Sequence, residues 1–187
     1  LISLGEGEEV TLEMMELYEK MKKQGATRQE FLREAAKIDG IYVPSLYTVE
    51  YNDDGTIKKY IPSDGAPETM KKRIIKNFDE VFYPDNFVVP FSDIVHNRAS
   101  VEVLRGCIRG CRFCQAGFIY RPFREKTTGK ITVQAKQLCD NTGYEELSLA
   151  SLSTSDHSQM DDMLTSLIEY TEDEHINLAL PSLRMDN

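Results

Sequence analysis

The sequence predicts an α/β protein built on a parallel sheet, and two observations carry this. From Ala99 onward the pattern alternates strand, helix, strand, helix, strand, at about 101–104, 132–141, 147–152, a helix capped by Ser158, and 176–180. Repeated βα units imply right-handed crossovers and parallel strands, with chemistry at the C-terminal strand ends. The second observation is a cysteine cluster in the loop that follows the first of these strands. It reads Leu104-Arg105-Gly106-Cys107-Ile108-Arg109-Gly110-Cys111-Arg112-Phe113-Cys114.

The elements before this unit are shorter. Residues 1–4 read as the tail of a buried strand, and Gly5-Glu6-Gly7-Glu8-Glu9 as a turn into a helix. Val10, Met14, Leu17, Tyr18 and Met21 recur at helical spacing up to Gly25. A phosphate-binding role for Gly5 and Gly7 is disfavoured, since the third glycine is missing and two acids lie beside them. Thr27-Arg28-Gln29-Glu30 forms a capping box, and the helix behind it ends at Gly40. Residues 46–51 and 56–61, joined by Asn52-Asp53-Asp54-Gly55, predict a hairpin. Residues 68–77 suggest a short charged helix, and Pro84 and Pro90 bracket an extended connector.

Composition narrows the function classes. The chain has 187 residues, 41% of them hydrophobic, enough for a core. It starts at Leu1 and ends just past an apolar run, which reads as a piece of a longer protein. No apolar run approaches the roughly 20 residues of a membrane helix, and the sequence shows no signal-peptide pattern. A cytoplasmic location without a membrane partner is the expectation. Four cysteines are too few for a disulfide scaffold of this length. The net charge of −9 argues against general nucleic-acid binding. Yet 98–130 carries eight basic residues against Glu102 and Glu125, a local +6 that leaves −15 elsewhere. That stretch reads either as a solvated face or as a wall around something anionic, and it leaves nucleic acid open.

Cys107, Cys111 and Cys114 can converge on one centre if Gly106 and Gly110 curl the backbone with positive φ. A structural zinc site wants four ligands, and Cys139 or His96 would have to be the fourth. Cys139 falls on the apolar face of its helix, where an inert thiol is expected. Three thiolates without a fourth suit a cubane cluster with one open iron; an electron-transfer cluster would want another cysteine nearby.

The stretch resembles the radical S-adenosylmethionine (SAM) superfamily, whose hallmark is C-x3-C-x-aromatic-C after the first strand of a partial (β/α) barrel. Cys107, Cys111, Phe113 and Cys114 fit it. Residues 105–117 with Ile119-Tyr120-Arg121-Pro122 look more narrowly like members with an N-terminal cobalamin-binding-like domain, and 5–9 is similar to the close of that domain. The resemblance implies the first βα units of a partial radical SAM barrel at 98–187. A linker with a β-hairpin at 41–97 and the tail of an upstream Rossmann-like domain at 1–40 precede them. It implies a [4Fe–4S] cluster on Cys107, Cys111 and Cys114, with SAM chelating the fourth iron. An electron from a flavodoxin or ferredoxin would then release a 5′-deoxyadenosyl radical that acts on an unknown substrate. The resemblance leaves room for cobalamin in the full protein. Phe113 is expected near the adenine. Ser153 and Thr154 stand where many members carry a Gly-Glu pair, and their hydroxyls or Asp156 would accept from SAM's amino group. His157 is a lesser candidate there. Ser182 and Arg184, after the third strand, are expected to contact SAM or substrate. The later strands with the ribose and methionine contacts lie outside this sequence.

Overall fold

A computed structural model describes residues 1–92 and 94–184. The chain divides into two units, Leu1–Lys76 and Asn77–Asn187.

The first unit contains β1 (Ile2–Ser3), α1 (Gly7–Lys23), α2 (Arg28–Ala35), β2 (Ile41–Tyr42), β3 (Tyr47–Tyr51) and β4 (Ile57–Pro62). Val10, Leu32, Ala35, Ala36, Ile41 and Val43 form its core. The capping box at Thr27 is present: its hydroxyl accepts from Glu30 N–H and the Glu30 carboxylate accepts from Thr27 N–H. The hairpin forms as read, β3 antiparallel to β4 with an irregularity at Glu50/Tyr51. Two expectations fail. Both residues of β1 are exposed, because β1 pairs only with β2, antiparallel, in a two-stranded sheet. Residues 68–77 form no helix. Arg73 instead pairs by its backbone with Leu4 and Glu6, and its guanidinium reaches Glu9 and Glu13, one turn apart on α1.

The second unit holds β5 (Ala99–Glu102), β6 (Leu104–Arg105), α3 (Ala116–Ile119), β7 (Arg124–Glu125), α4 (Thr128–Thr142), β8 (Glu146–Ala150), α5 (Met160–Asp173) and β9 (Asn177–Ala179). β5, β8 and β9 make a parallel sheet in that order. Alternation divides its faces. Ala99, Val101, Leu147 and Leu149 are fully buried with Ile131, Ala135 and Leu138 of α4 and Met163 and Leu167 of α5. The opposite face carries Ser100, Ser148, Ala150 and Ala179 and borders an open groove of about 730 Å³. The two crossover helices thus cover one side of the sheet. Tyr83 packs along the outer edge of β5, where its hydroxyl donates to the carbonyl of Ser100. Gly143 ends α4 with φ +70°. Ser158 does not cap α5, whose N-cap is Gln159; its hydroxyl donates to Glu125 at 2.5 Å instead. Among the described residues no helix is long and apolar enough to cross a membrane.

Candidate functional site

The cysteine loop leaves the C-terminal end of β5 through a neck. β6 and β7 pair antiparallel, Leu104 with Glu125 and Arg105 with Arg124, and so pinch residues 106–123 at their base. Two further backbone bonds tie this neck to the sheet: Lys126 N–H donates to Val103 C=O at 2.9 Å and Val103 N–H to Ala150 C=O at 3.0 Å. Gly106 adopts φ +87°, and a Cβ there would lie 2.7 Å from the Tyr120 carbonyl oxygen and 2.9 Å from that of Pro122. Gly110 takes no positive φ and has open space around its Cα. The backbone therefore curls at Gly106 alone. Gly117 has the second tight fit, because a Cβ there would come within 2.9 Å of the Arg109 carbonyl.

Cys107, Cys111 and Cys114 are half-buried free thiols. Arg109 N–H donates to Cys107 Sγ at 3.4 Å, and Cys114 N–H to the Cys111 carbonyl at 3.0 Å. The outer part of the loop faces solvent: Phe113 is 92% exposed, and Ile108, Phe118, Ile119 and Tyr120 are exposed with it.

The turns after β8 and β9 meet this loop. Arg109 grips Asp156, Nε lying 2.9 Å from Oδ2. Arg184 Nη1 lies 3.9 Å from Cys111 Sγ. Ser153 and Thr154 are buried. The Ser153 hydroxyl donates to Asp156 at 2.8 Å; that of Thr154 donates to the Pro181 carbonyl at 2.9 Å and shares a hydrogen bond with Ser151. Ser182 is exposed with φ +59°, and its carbonyl accepts from Thr154 N–H. The structure thus sets Arg184 beside Cys111 and Asp156 against Arg109, with Ser153 and Thr154 engaged inside the turn.

Beneath the neck lies a group that sequence reasoning missed. Lys126 is 1% exposed. Its ammonium donates to Gln134 Oε1 at 3.0 Å and sits 4.6 Å from the Tyr83 ring centroid and 5.2 Å from that of Phe78. Burial holds this amine below the ordinary lysine range, with the Glu102 charge opposing the shift. Burial, followed by Glu102, pushes the Tyr83 phenol up to about 12. Arg105 lies over the same Phe78 ring and pairs with Glu102. His157 is buried and structural: its Nε2 bonds the Lys126 carbonyl at 3.0 Å and its Nδ1 accepts from Gln159 N–H. Accepting at Nδ1 assigns the proton to Nε2. A lysine in a basic stretch gives no sign that it will be buried. Only the aromatic pair Phe78 and Tyr83, some 45 positions upstream, could have hinted at it. The basic wall shrinks accordingly, since Arg98, Arg105 and Arg109 are paired with Glu146, Glu102 and Asp156.

Among the described residues, no three His, Cys, Asp or Glu side chains are gathered as a ready metal site. The donor chemistry nevertheless fits an iron–sulfur cluster: three accessible thiols on one short loop, with a backbone N–H and a guanidinium already directed at sulfur. It fits zinc poorly. Cys139 is 4% exposed inside the apolar core, its thiol pushed up by burial, and His96 is bonded to Arg98.

Residues 1–44 match the family described as "Radical SAM proteins, N-terminal", which relates this α/β chain to radical SAM proteins. The chain is also 23% identical over 137 residues to an uncharacterized protein of Methanocaldococcus jannaschii. That alignment covers 73% of this chain but only 29% of the relative's length.

Proposed function

We propose that this chain carries the cluster-binding part of a radical SAM iron–sulfur enzyme. Cys107, Cys111 and Cys114 ligate a [4Fe–4S] cluster and leave its fourth iron to SAM. The observation that carries this reading is the thiol loop itself, pinched at the C-terminal end of a parallel strand, with the fourth cysteine sealed in the core. When bound, cluster and SAM together supply a 5′-deoxyadenosyl radical that removes a hydrogen atom from the substrate.

The chain's own residues bind and orient. Phe113 offers an exposed ring and its backbone to the adenine. Arg184, already beside Cys111, and Ser182 contact SAM or substrate. Ser153 and Thr154 shape the turn against which SAM's amino group lies. Hydrogen bonds and positive charge at the sulfurs, from Arg109 N–H and Arg184, tune the cluster potential. The open serine-bearing face of the sheet is the wall of a partial barrel that receives SAM and substrate. A flavodoxin or ferredoxin-type protein donates the electron. In the full protein, residues 1–40 close an upstream cobalamin-binding-like domain.

Anaerobic reconstitution with ferrous iron and sulfide tests this. The protein should turn brown and hold about four irons per chain. Cys111→Ser should lose the colour, and SAM should change the EPR spectrum of the reduced cluster. A colourless protein with one tight zinc overturns the reading.

A further inference from the structure

Arg109 stands between two of the three thiols in the sequence, and its side chain ties the loop to another element. Nε approaches Asp156 Oδ1 at 3.1 Å and Oδ2 at 2.9 Å, and Nη2 makes a further contact with Oδ1. Asp156 lies 47 residues downstream, in the turn after β8, and its side chain is 3% exposed. The Ser153 hydroxyl donates to the same carboxylate at 2.8 Å. A carboxylate this buried is held by its partners, and removing one leaves an uncompensated charge or donor. Arg109 is also coupled to the thiols through its backbone: its N–H donates to Cys107 Sγ, and its carbonyl presses on Gly117 so closely that no side chain fits there.

We propose that the Arg109–Asp156 pair is a clamp that positions the thiol loop. It fixes the Cys107–Cys111 half over the end of β8, so the loop is anchored at the mouth of the sheet before any cluster arrives. This rests on the iron–sulfur reading above, and it assigns Asp156 to holding the loop rather than to SAM's amino group. Arg109 and Asp156 are positioning residues: they act through the loop that carries the ligands.

Hydrogen–deuterium exchange of the metal-free chain tests the clamp without any cluster. In Asp156→Asn the amides of 106–117 should exchange about tenfold faster or more, because the buried pair no longer closes. Arg109→Lys, which keeps the charge but loses the fork, should fall between wild type and Asp156→Asn. The amides of 131–138 in α4 should not change. After anaerobic reconstitution, a chelator should strip iron from Asp156→Asn several-fold faster than from wild type. Unchanged exchange at 106–117 overturns the clamp. A rise that extends equally into α4 also overturns it, since the pair would then support the whole unit. Wild-type protein that takes up no iron overturns the cluster reading instead, and the exchange data then decide the clamp alone.

Discussion

The base and the tip of the cysteine loop are built on opposite terms. At the base, backbone pairs, a glycine under close approach and a buried lysine over two rings leave little freedom. At the tip, apolar side chains face solvent, Phe113 most of all. The base is defined by contacts within the protein, whereas the tip is open to solvent. A ligand-binding loop gains from this division: a rigid exit fixes direction, and an open end can adapt to what arrives.

Substitutions can break this contrast from the base outward. Gly106→Ala should have the largest effect. It combines a left-handed backbone with a Cβ driven against two carbonyl oxygens, and should cost about 3 kcal/mol by chemical denaturation. Iron uptake should fall with it, while Gly110→Ala, in open space, should be tolerated.

Lys126→Met probes the layer beneath. The folded pKa of Lys126 lies below 10.5, so between that value and 10.5 the unfolded chain binds more protons. Wild-type stability from this group is therefore present above 10.5 and lost as pH falls through the folded value. Denaturant midpoints measured from neutral pH upward should show wild type gaining on Lys126→Met. Parallel curves would mean the amine titrates as if solvated.

At the tip, Phe113→Ala should change stability by less than about 0.5 kcal/mol. Stacking of a base on an aromatic ring is worth about 1–3 kcal/mol, so SAM affinity of the reconstituted protein should drop about tenfold. Calorimetric titration checks this; unchanged affinity would remove Phe113 from the adenine.

What was legible in the sequence was local. The Thr27 capping box, the turn at 52–55 and the apolar stripes of α1, α4 and α5 involve groups a few residues apart. The order β5, α4, β8, α5, β9 followed from the same periodicities, while β6, α3 and β7 between them did not. Local signals misled where a distant partner competed better. Ser158 has the chemistry of a cap, yet Glu125 takes its hydroxyl. Residues 68–77 have helical composition, yet Arg73 has backbone and carboxylate partners 60 or more residues upstream.

The sequence by itself determined three thiols at fixed spacing after a strand, an aromatic among them, and an apolar setting for Cys139. It also determined the alternation that builds a parallel sheet, because strand and helix periods are properties of neighbouring residues. Only the tertiary structure decided which charges are engaged. Whether Lys126 faces water or two rings, and whether Arg109 is a free cation or bound to Asp156, depends on segments 30 to 50 residues apart. Electrostatics and burial are set by that convergence, since a charge is stabilised by whatever the fold brings within a few ångströms of it.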